Sequence, residues 1–336
     1  MVMQSITSRE IQLASHPHGI PTHENFHIAQ TTLGYLQDQD VLVRNHFMSV
    51  DPYMRGRMNP GQSYVTPFKL GQPLEGGAVG EVIESRAAGF TPGEIVTSRY
   101  GWREYYIAQA TQLQHVDPNL RPLSAHLGVL GMTGLTACVG LNLAQIKVDD
   151  VIYISGAAGA VGNVAGQLAK IRGCRVIGSA GSEPKVTTLR TECGFDVAFN
   201  YKSGSISEQL ALAAPEGIDV YFDNIGGETL EAALTAMRPH GRIIMCGGIS
   251  GYNAGTPRPG PANLFNITTK RLTMQGMIVG DWMDRQAEFT AEVGGYYRTG
   301  RLKNLETVET GLDHAIDAFI GLFYGQNMGK MVVKLI

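Results

Sequence analysis

"VIYISGAAGAVGNVAGQLAKIRGCRVIGSAGS", residues 151–182, joins two apolar runs through a glycine-rich turn and a helix-forming run. A strand that ends in small residues and feeds a helix lets backbone N–H groups approach an anion, and the helix dipole favours that charge. Gly156, Ala157, Ala158, Gly159, Ala160, Val161 and Gly162 supply the small residues here. The glycines are spaced Gly156-x-x-Gly159-x-x-Gly162 rather than G-x-G-x-x-G, and a glycine triplet alone is weak evidence. The context carries the reading: strand before, helix after, and a second strand about 20 residues on. The stretch reads as a dinucleotide site.

Which dinucleotide follows from the end of the second strand. An NAD-preferring site places Asp or Glu there to accept from the ribose 2′-hydroxyl. This chain has Gly178-Ser179-Ala180-Gly181-Ser182, with no carboxylate. Ser182 and Lys185 are suited to donate to a 2′-phosphate, and Tyr201, after the next short strand, is placed to close the pocket. Glu183 belongs to the first turn of a helix, where it complements the dipole. The expected cofactor is NADPH.

Outward from the turn, helices and strands alternate as a parallel sheet requires. Helical runs are expected at 124–146 (with a break at Gly131), 163–173, 183–193, around Ser207 to Ala214, and at 228–237. Strands are expected at 151–155, 174–180, 196–200, 218–224, 241–248 and 272–279. Six strands match a doubly wound dinucleotide fold. Before residue 123 the pattern differs. "DVLVRNHFMSV" (40–50), "GAVGEVIES" (77–85), "GEIVTSRY" (93–100) and "REYYIAQA" (103–110) read as short strands without helices between them, which suggests a small barrel or sandwich. After a helix at roughly 284–298, the tail reads as strand, amphipathic helix and strand, and is expected to rejoin the first segment. The chain therefore divides into 1–122 with 300–336, and 123–299.

Composition narrows the function classes. The 336 residues exceed what one core usually holds, and 43% hydrophobic with 17% charged residues describe a globular protein. A formal charge of −3 gives no reason to expect nucleic acid or an anionic membrane as partner. No apolar run approaches the ~18 residues of a membrane span. The N-terminus is polar and reads without a signal peptide, so a cytoplasmic protein is expected. Cys138, Cys174, Cys193 and Cys246 form no C-x-x-C pair, and Cys174 and Cys246 read as buried small hydrophobes. His16, His18, His23 and His27 lie among Pro and Gly and read as a surface loop. No metal site is expected.

The element order resembles the medium-chain dehydrogenase/reductase superfamily along essentially the whole chain. Its zinc alcohol dehydrogenases carry an early cysteine, a G-H-E segment and a four-cysteine lobe. This chain has no cysteine before Cys138 and reads "GQPLEGGAVGEV" (71–82) where G-H-E would stand. It is more similar to the zinc-independent double-bond reductases, which include prostaglandin, alkenal and curcumin reductases. The blocks that carry this likeness are "MSVDPYMRGRM" (48–58), "GMTGLTACVGL" (131–141), "GAAGAVGNVAGQLAK" (156–170), "GFDVAFNYK" (194–202), "DNIGGE" (223–228), "GRIIMCGGISGYN" (241–253) and "NMGK" (327–330).

The resemblance implies an α/β protein, with a GroES-like β-rich catalytic domain beside a doubly wound Rossmann domain. It also implies NADPH-dependent reduction of a carbon–carbon double bond conjugated to a carbonyl. Hydride would go to the β-carbon, and hydrogen-bond donors would hold the resulting enolate. Tyr252, in a glycine-rich loop beyond a strand's C-terminal end, is the first choice for proton donor. Tyr53 and Tyr64 would face the nicotinamide from the first domain. By motif, Ala158, Gly159, Ala160 and Val161 should meet the pyrophosphate. Gly181, Ser182, Lys185 and Tyr201 should meet the 2′-phosphate end. Asn224, Cys246, Gly247, Ile249, Tyr252, Met277, Ile278, Val279 and Asn327 should line the rest. Turn chemistry alone would also explain Asn224, and a helix C-cap Asn327.

The expected substrate is a small-molecule enone or enal, with a small enal and a bulky diarylenone both open, and the expected assembly a homodimer formed through the last sheet strand (272–279). The stretch "SGYNAGTPRPGPANLF" (250–265) has the composition of a mobile lid. Two other readings remain open from the residues: a zinc-free NADPH:quinone oxidoreductase, and a non-catalytic NADPH-binding protein like the lens crystallins of this superfamily.

Overall fold

The computed structural model describes residues 6–256 and 259–336. The chain forms two compact units: Met1–Leu127 with Thr307–Asn327 and Met331–Ile336, and Gly128–Glu306 with Met328–Lys330.

The second unit is built on a six-stranded parallel sheet. Across it the strands lie in the order Val197–Asn200, Arg175–Ala180, Val151–Ile154, Ile218–Asp223, Met237–Met245, Thr273–Gly276. Counted along the chain this is 3-2-1-4-5-6, so the direction of winding reverses beside Val151–Ile154. The central strands are apolar throughout because helices cover the sheet. Val151–Ile154 is fully buried, and Tyr153, Tyr221 and Ile177 lie in one core cluster with Ala233 and Leu234 of the helix Gly227–Ala236.

Element limits moved where tertiary contacts overrode the local pattern. The helix after the glycine turn begins at Ala160, not at residue 163. The last strand spans only Thr273–Gly276, and Val279–Arg285 forms a 3-10 turn instead of continuing it. With one neighbour on the sheet, this edge strand ends as soon as Met277 turns inward to burial.

The first unit is β-rich. A seven-stranded sheet runs Glu306–Thr310, Lys330–Lys334, Asp40–Ser49, Ala78–Ser85, Ile95–Ser98, Gln114–His115, with Tyr105–Gln109 also paired to Asp40–Ser49. Lys330–Lys334 pairs antiparallel with Asp40–Ser49, which brings the tail back to the N-terminal segment. Leu123 and Leu127, expected to open the second domain, pack with Val79 and Val332 of this unit.

An antiparallel pair, Thr7–Leu13 with Phe26–Thr32, was not foreseen. Only Phe26 is buried in its second strand, so the usual alternation is missing from the sequence. This pair corrects the reading of the histidines as one loop. His27 is a strand residue opposite Gln12, His23 lies in a 3-10 turn and pairs with Asp317 at 2.7 Å, and His16 Nδ1 lies 2.7 Å from the carbonyl of Met58. Among the described residues no helix is long and apolar enough to cross a membrane.

Candidate active site

The glycine turn follows from chain geometry. Gly156 takes φ +57°, which favours glycine, directly after the buried strand. A Cβ on Gly162 would stand 2.5 Å from the carbonyl oxygen of Gly156, so the first helical turn presses on the turn itself. Ala157 donates to the Ser179 carbonyl at 3.0 Å, tying the turn to the second strand. Gly159 is the N-cap of Ala160–Ile171, and no side chain caps this helix. The first N–H groups of a helix have no intrahelical partner, and here their surroundings are backbone and small side chains suited to a diphosphate.

The turn has a further support that sequence reading missed. Gly329 donates to the Ala158 carbonyl at 2.8 Å and forms a parallel bridge with Gly159. Gly329 has φ +67°, and a Cβ there would lie 1.9 Å from the Leu305 carbonyl oxygen. In the "NMGK" block, in addition to the Asn327 expected from the sequence to line the cofactor, the turn is met by Gly329. The positive φ is its only local signature.

At the ends of the second and third strands, Gly181, Ser182, Lys185 and Tyr201 come together. Tyr201 donates its backbone N–H to Ala180 at 3.1 Å, and its hydroxyl would meet a Cβ on Gly181 at 2.9 Å. Ser182 is the N-cap of Glu183–Thr191, yet its hydroxyl makes no cap hydrogen bond. Burial, followed by the charge of Lys202, holds the Lys185 ammonium below the usual lysine range. Lys202 is the second residue missed. It stands next to Tyr201 with its ammonium 5.9 Å from that ring, so two cations serve one corner. No carboxylate ends the second strand, and the nearby Glu183, in the first turn of the next helix, accepts from Ser203 at 3.4 Å.

Beyond the fourth strand, Asn224 donates its amide to the Ser155 carbonyl at 2.8 Å and its N–H to Ser155 Oγ at 2.9 Å. Cys246 and Gly247 both donate to the Asp223 carbonyl, and Ile249 donates to that of Asn224. The loop from Cys246 to Tyr252 is thereby held against the 223–225 turn. Tyr252 folds back on its own loop, and its hydroxyl accepts from the Gly248 N–H at 3.4 Å. Met277 is buried, with its sulfur 3.3 Å from where a Cβ on Gly140 would stand, while Ile278 is exposed. In the lid-like stretch 250–265, Pro257 and Arg258 lie outside the described residues.

In the first unit, Tyr53 opens the short helix Met54–Arg57 and packs against the core around Met54 and Phe319. Burial, then the nearby Asp51, pushes its phenol up to about 12. Tyr64 is exposed, in the segment between Met58 and Phe68. Arg57, almost fully buried, holds that segment. It donates to the Thr66 carbonyl at 2.8 Å, pairs with Glu75 at 2.7 Å and lies 4.0 Å over the Phe68 ring, while Phe68 N–H donates to the Arg57 carbonyl. Arg55 binds the carbonyls of Pro17 and Gly19. These two buried cations explain why the "MRGRM" block is built as it is.

With the geometry in hand, residues 9–116 match the family model described as the N-terminal domain of oxidoreductase, and residues 160–293 the one described as zinc-binding dehydrogenase. The chain is 37% identical to the NADPH-dependent curcumin reductase of Escherichia coli over 100% of this chain and 99% of that protein. It is 39% identical to the NADP-dependent 2-alkenal reductase of Nicotiana tabacum over 99% and 98%. The chain belongs to the zinc-independent branch of the medium-chain dehydrogenase/reductase family. Among solved structures, CurA from Vibrio vulnificus in complex with NADPH matches this member with a TM-score of 0.92 and 38% identity, over 98% of this chain and 99% of that one. Zinc appears in one family description, but among the described residues no three His, Cys, Asp or Glu side chains group to hold a metal ion.

Proposed function

We propose that the protein reduces the carbon–carbon double bond of α,β-unsaturated ketones or aldehydes with NADPH. The observation that carries this reading is whole-length similarity to curcumin and alkenal reductases, joined to a turn and phosphate corner that fit NADPH. The fit rests on the uncapped helix N-terminus at Gly159, the side-chain-free approach at Gly156 and Gly162, and the Lys185–Lys202 corner.

The cofactor, when bound, supplies the hydride. Ala158, Gly159, Ala160 and Val161 receive the pyrophosphate, and Gly181, Ser182, Lys185 and Tyr201 the 2′-phosphate end. Asn224, Cys246, Gly247, Ile249, Ile278, Val279 and Asn327 are proposed for the remaining contacts. For Met277 the proposal is limited to its backbone, because its side chain is buried. Tyr252 gives its proton to the substrate, directly or through an enolate oxygen, while its own oxygen accepts from Gly248. Tyr53 and Tyr64 are proposed to touch substrate. A phenol pushed up like that of the partly buried Tyr53 stays protonated at neutral pH and so remains a donor.

The test is loss of NADPH absorbance with a conjugated enone, run beside its saturated ketone, a quinone and NADH. Turnover with the enone, giving the saturated ketone, is expected. Turnover with the quinone alone would reassign the protein to the quinone reductases, and silence with every substrate despite NADPH binding would make it a non-catalytic binder.

A cytoplasmic homodimer completes the proposal. The edge strand Thr273–Gly276, flanked by exposed Leu264, Phe265, Ile278 and Met283, supports pairing with a second copy. A monomeric mass by light scattering would remove the dimer.

A further inference from the structure

Asp223 is fully buried at the C-terminal end of the fourth strand. Four donors converge on its Oδ1: the Tyr221 hydroxyl at 2.7 Å, the Gly226 N–H at 2.8 Å, the Ile225 N–H at 2.9 Å and the Ser155 hydroxyl at 3.1 Å. Its Oδ2 is buried and no hydrogen-bond donor among the described residues reaches it. A carboxylate is costly to desolvate, and one placed here with half its acceptor capacity unused is a poor choice for stability alone.

What the arrangement does is geometric. The two N–H bonds set the 224–226 turn, where Gly226 and Gly227 take φ +75° and +54°. Ser155, itself bonded to Asp223, receives the Asn224 N–H. The Asp223 carbonyl accepts from Cys246 and Gly247, and the turn accepts from Ile249 and Ser250. One residue thus fixes the turn bearing Asn224 and, through it, the loop bearing Tyr252.

We propose that Asp223, acting with Ser155 and Tyr221, is a positioning residue for the nicotinamide half of the cofactor site and for the Tyr252 loop. This rests on the reading of the site as an NADPH site. The Ser182–Lys185–Tyr201 corner lies on other strands and shares none of the Asp223 hydrogen bonds, so the two halves of the site are separable.

The experiment compares wild type with Asp223→Ala and Ser155→Ala by calorimetric titration with NADPH and with adenosine 2′,5′-bisphosphate, which carries the adenosine and its 2′- and 5′-phosphates but no nicotinamide half. Ser155→Ala serves if Asp223→Ala does not fold. Asp223→Ala, which removes the acceptor for all four donors, is expected to weaken NADPH binding about tenfold or more and Ser155→Ala several-fold, with bisphosphate binding within about twofold of wild type. At saturating NADPH, kcat with an enone should fall as well, because Tyr252 is displaced. Ile243→Val, in the core of the same unit, is the control that lowers the melting temperature while leaving both affinities unchanged. Equal loss of both ligands, or unchanged NADPH affinity, in whichever Asp223 or Ser155 variant folds would overturn the proposal. Wild type that binds neither ligand would instead overturn the cofactor reading.

Discussion

At residue scale, the proposed chemistry rests most directly on Tyr252 and Lys185. The Tyr252 oxygen accepts from the Gly248 N–H, which holds the phenol on its own loop. Tyr252→Phe keeps the ring and removes the phenolic proton, so kcat for an enone should drop roughly a hundredfold while NADPH affinity holds. Steady-state rates and fluorescence titration check the two halves of that statement. Lys185 is proposed to give the 2′-phosphate a charge-assisted hydrogen bond, of a kind worth about 1.5–3 kcal/mol. Lys185→Ala should therefore raise the KM for NADPH by about tenfold or more and leave that for NADH nearly unchanged. The pH dependence has a definite sign. The folded-state pKa of Lys185 lies below the usual range through burial and Lys202, so its cation is lost earlier as pH rises. Affinity for NADPH should weaken on the alkaline side before an ordinary lysine near ~10.4 would release its proton, and affinity for NADH should not. Parallel titrations of the two cofactors across that range would expose a flat profile if Lys185 is uninvolved.

At the scale of elements, the glycine turn is held from three directions: the second strand through Ser179, its own helix through Gly162, and the tail through Gly329. The last of these is the most vulnerable. Gly329→Ala sets a side chain against the Leu305 carbonyl in a left-handed conformation, a combination that costs ~1–3 kcal/mol from the backbone alone. We expect a lower melting temperature together with at least a tenfold loss of NADPH affinity, read by thermal unfolding and titration. A variant that loses stability but binds NADPH as wild type does would show that the tail only buttresses the fold.

For the whole molecule, pH is expected to act on stability through two histidines of the first unit, the partly buried His46 and the buried His126. His46 is held below the usual range by burial, with Arg44 and Arg121 adding to the effect and Glu81 opposing it, and His126 is held down chiefly by burial. The unfolded chain then binds more protons than the folded one below about pH 6.5, so ΔG of unfolding falls as pH drops through that value. Each group contributes up to ~1.4 kcal/mol per pH unit between its unfolded and folded pKa. Melting temperature should decline between about pH 7.5 and 5.5, and His46→Gln with His126→Gln should flatten that decline. An unchanged slope in the double variant would assign the acid sensitivity to other groups.

Much of the second unit was legible in the sequence because its signals are local. Apolar runs gave the six strands, and Gly156, Gly159 and Gly162 marked the turn. The absence of a carboxylate between Gly178 and Ser182 carries the proposal of a 2′-phosphate corner there. The pair Thr7–Leu13 and Phe26–Thr32 was hidden, since one buried residue in the second strand leaves no alternation to read. Leu123 and Leu127 looked like the start of a helical domain and were claimed by the β-rich unit, because their burial depends on Val79 and Val332. The sequence by itself determined the order of elements, the position of the nucleotide turn and the residue types around it, for these depend on neighbours within a few positions. Only the tertiary structure decided that Gly329 meets Ala158, that Lys202 stands beside Lys185, and that four donors converge on Asp223. Those contacts join residues from separate elements, and nothing in the spacing of a chain records which surfaces will meet once it is packed.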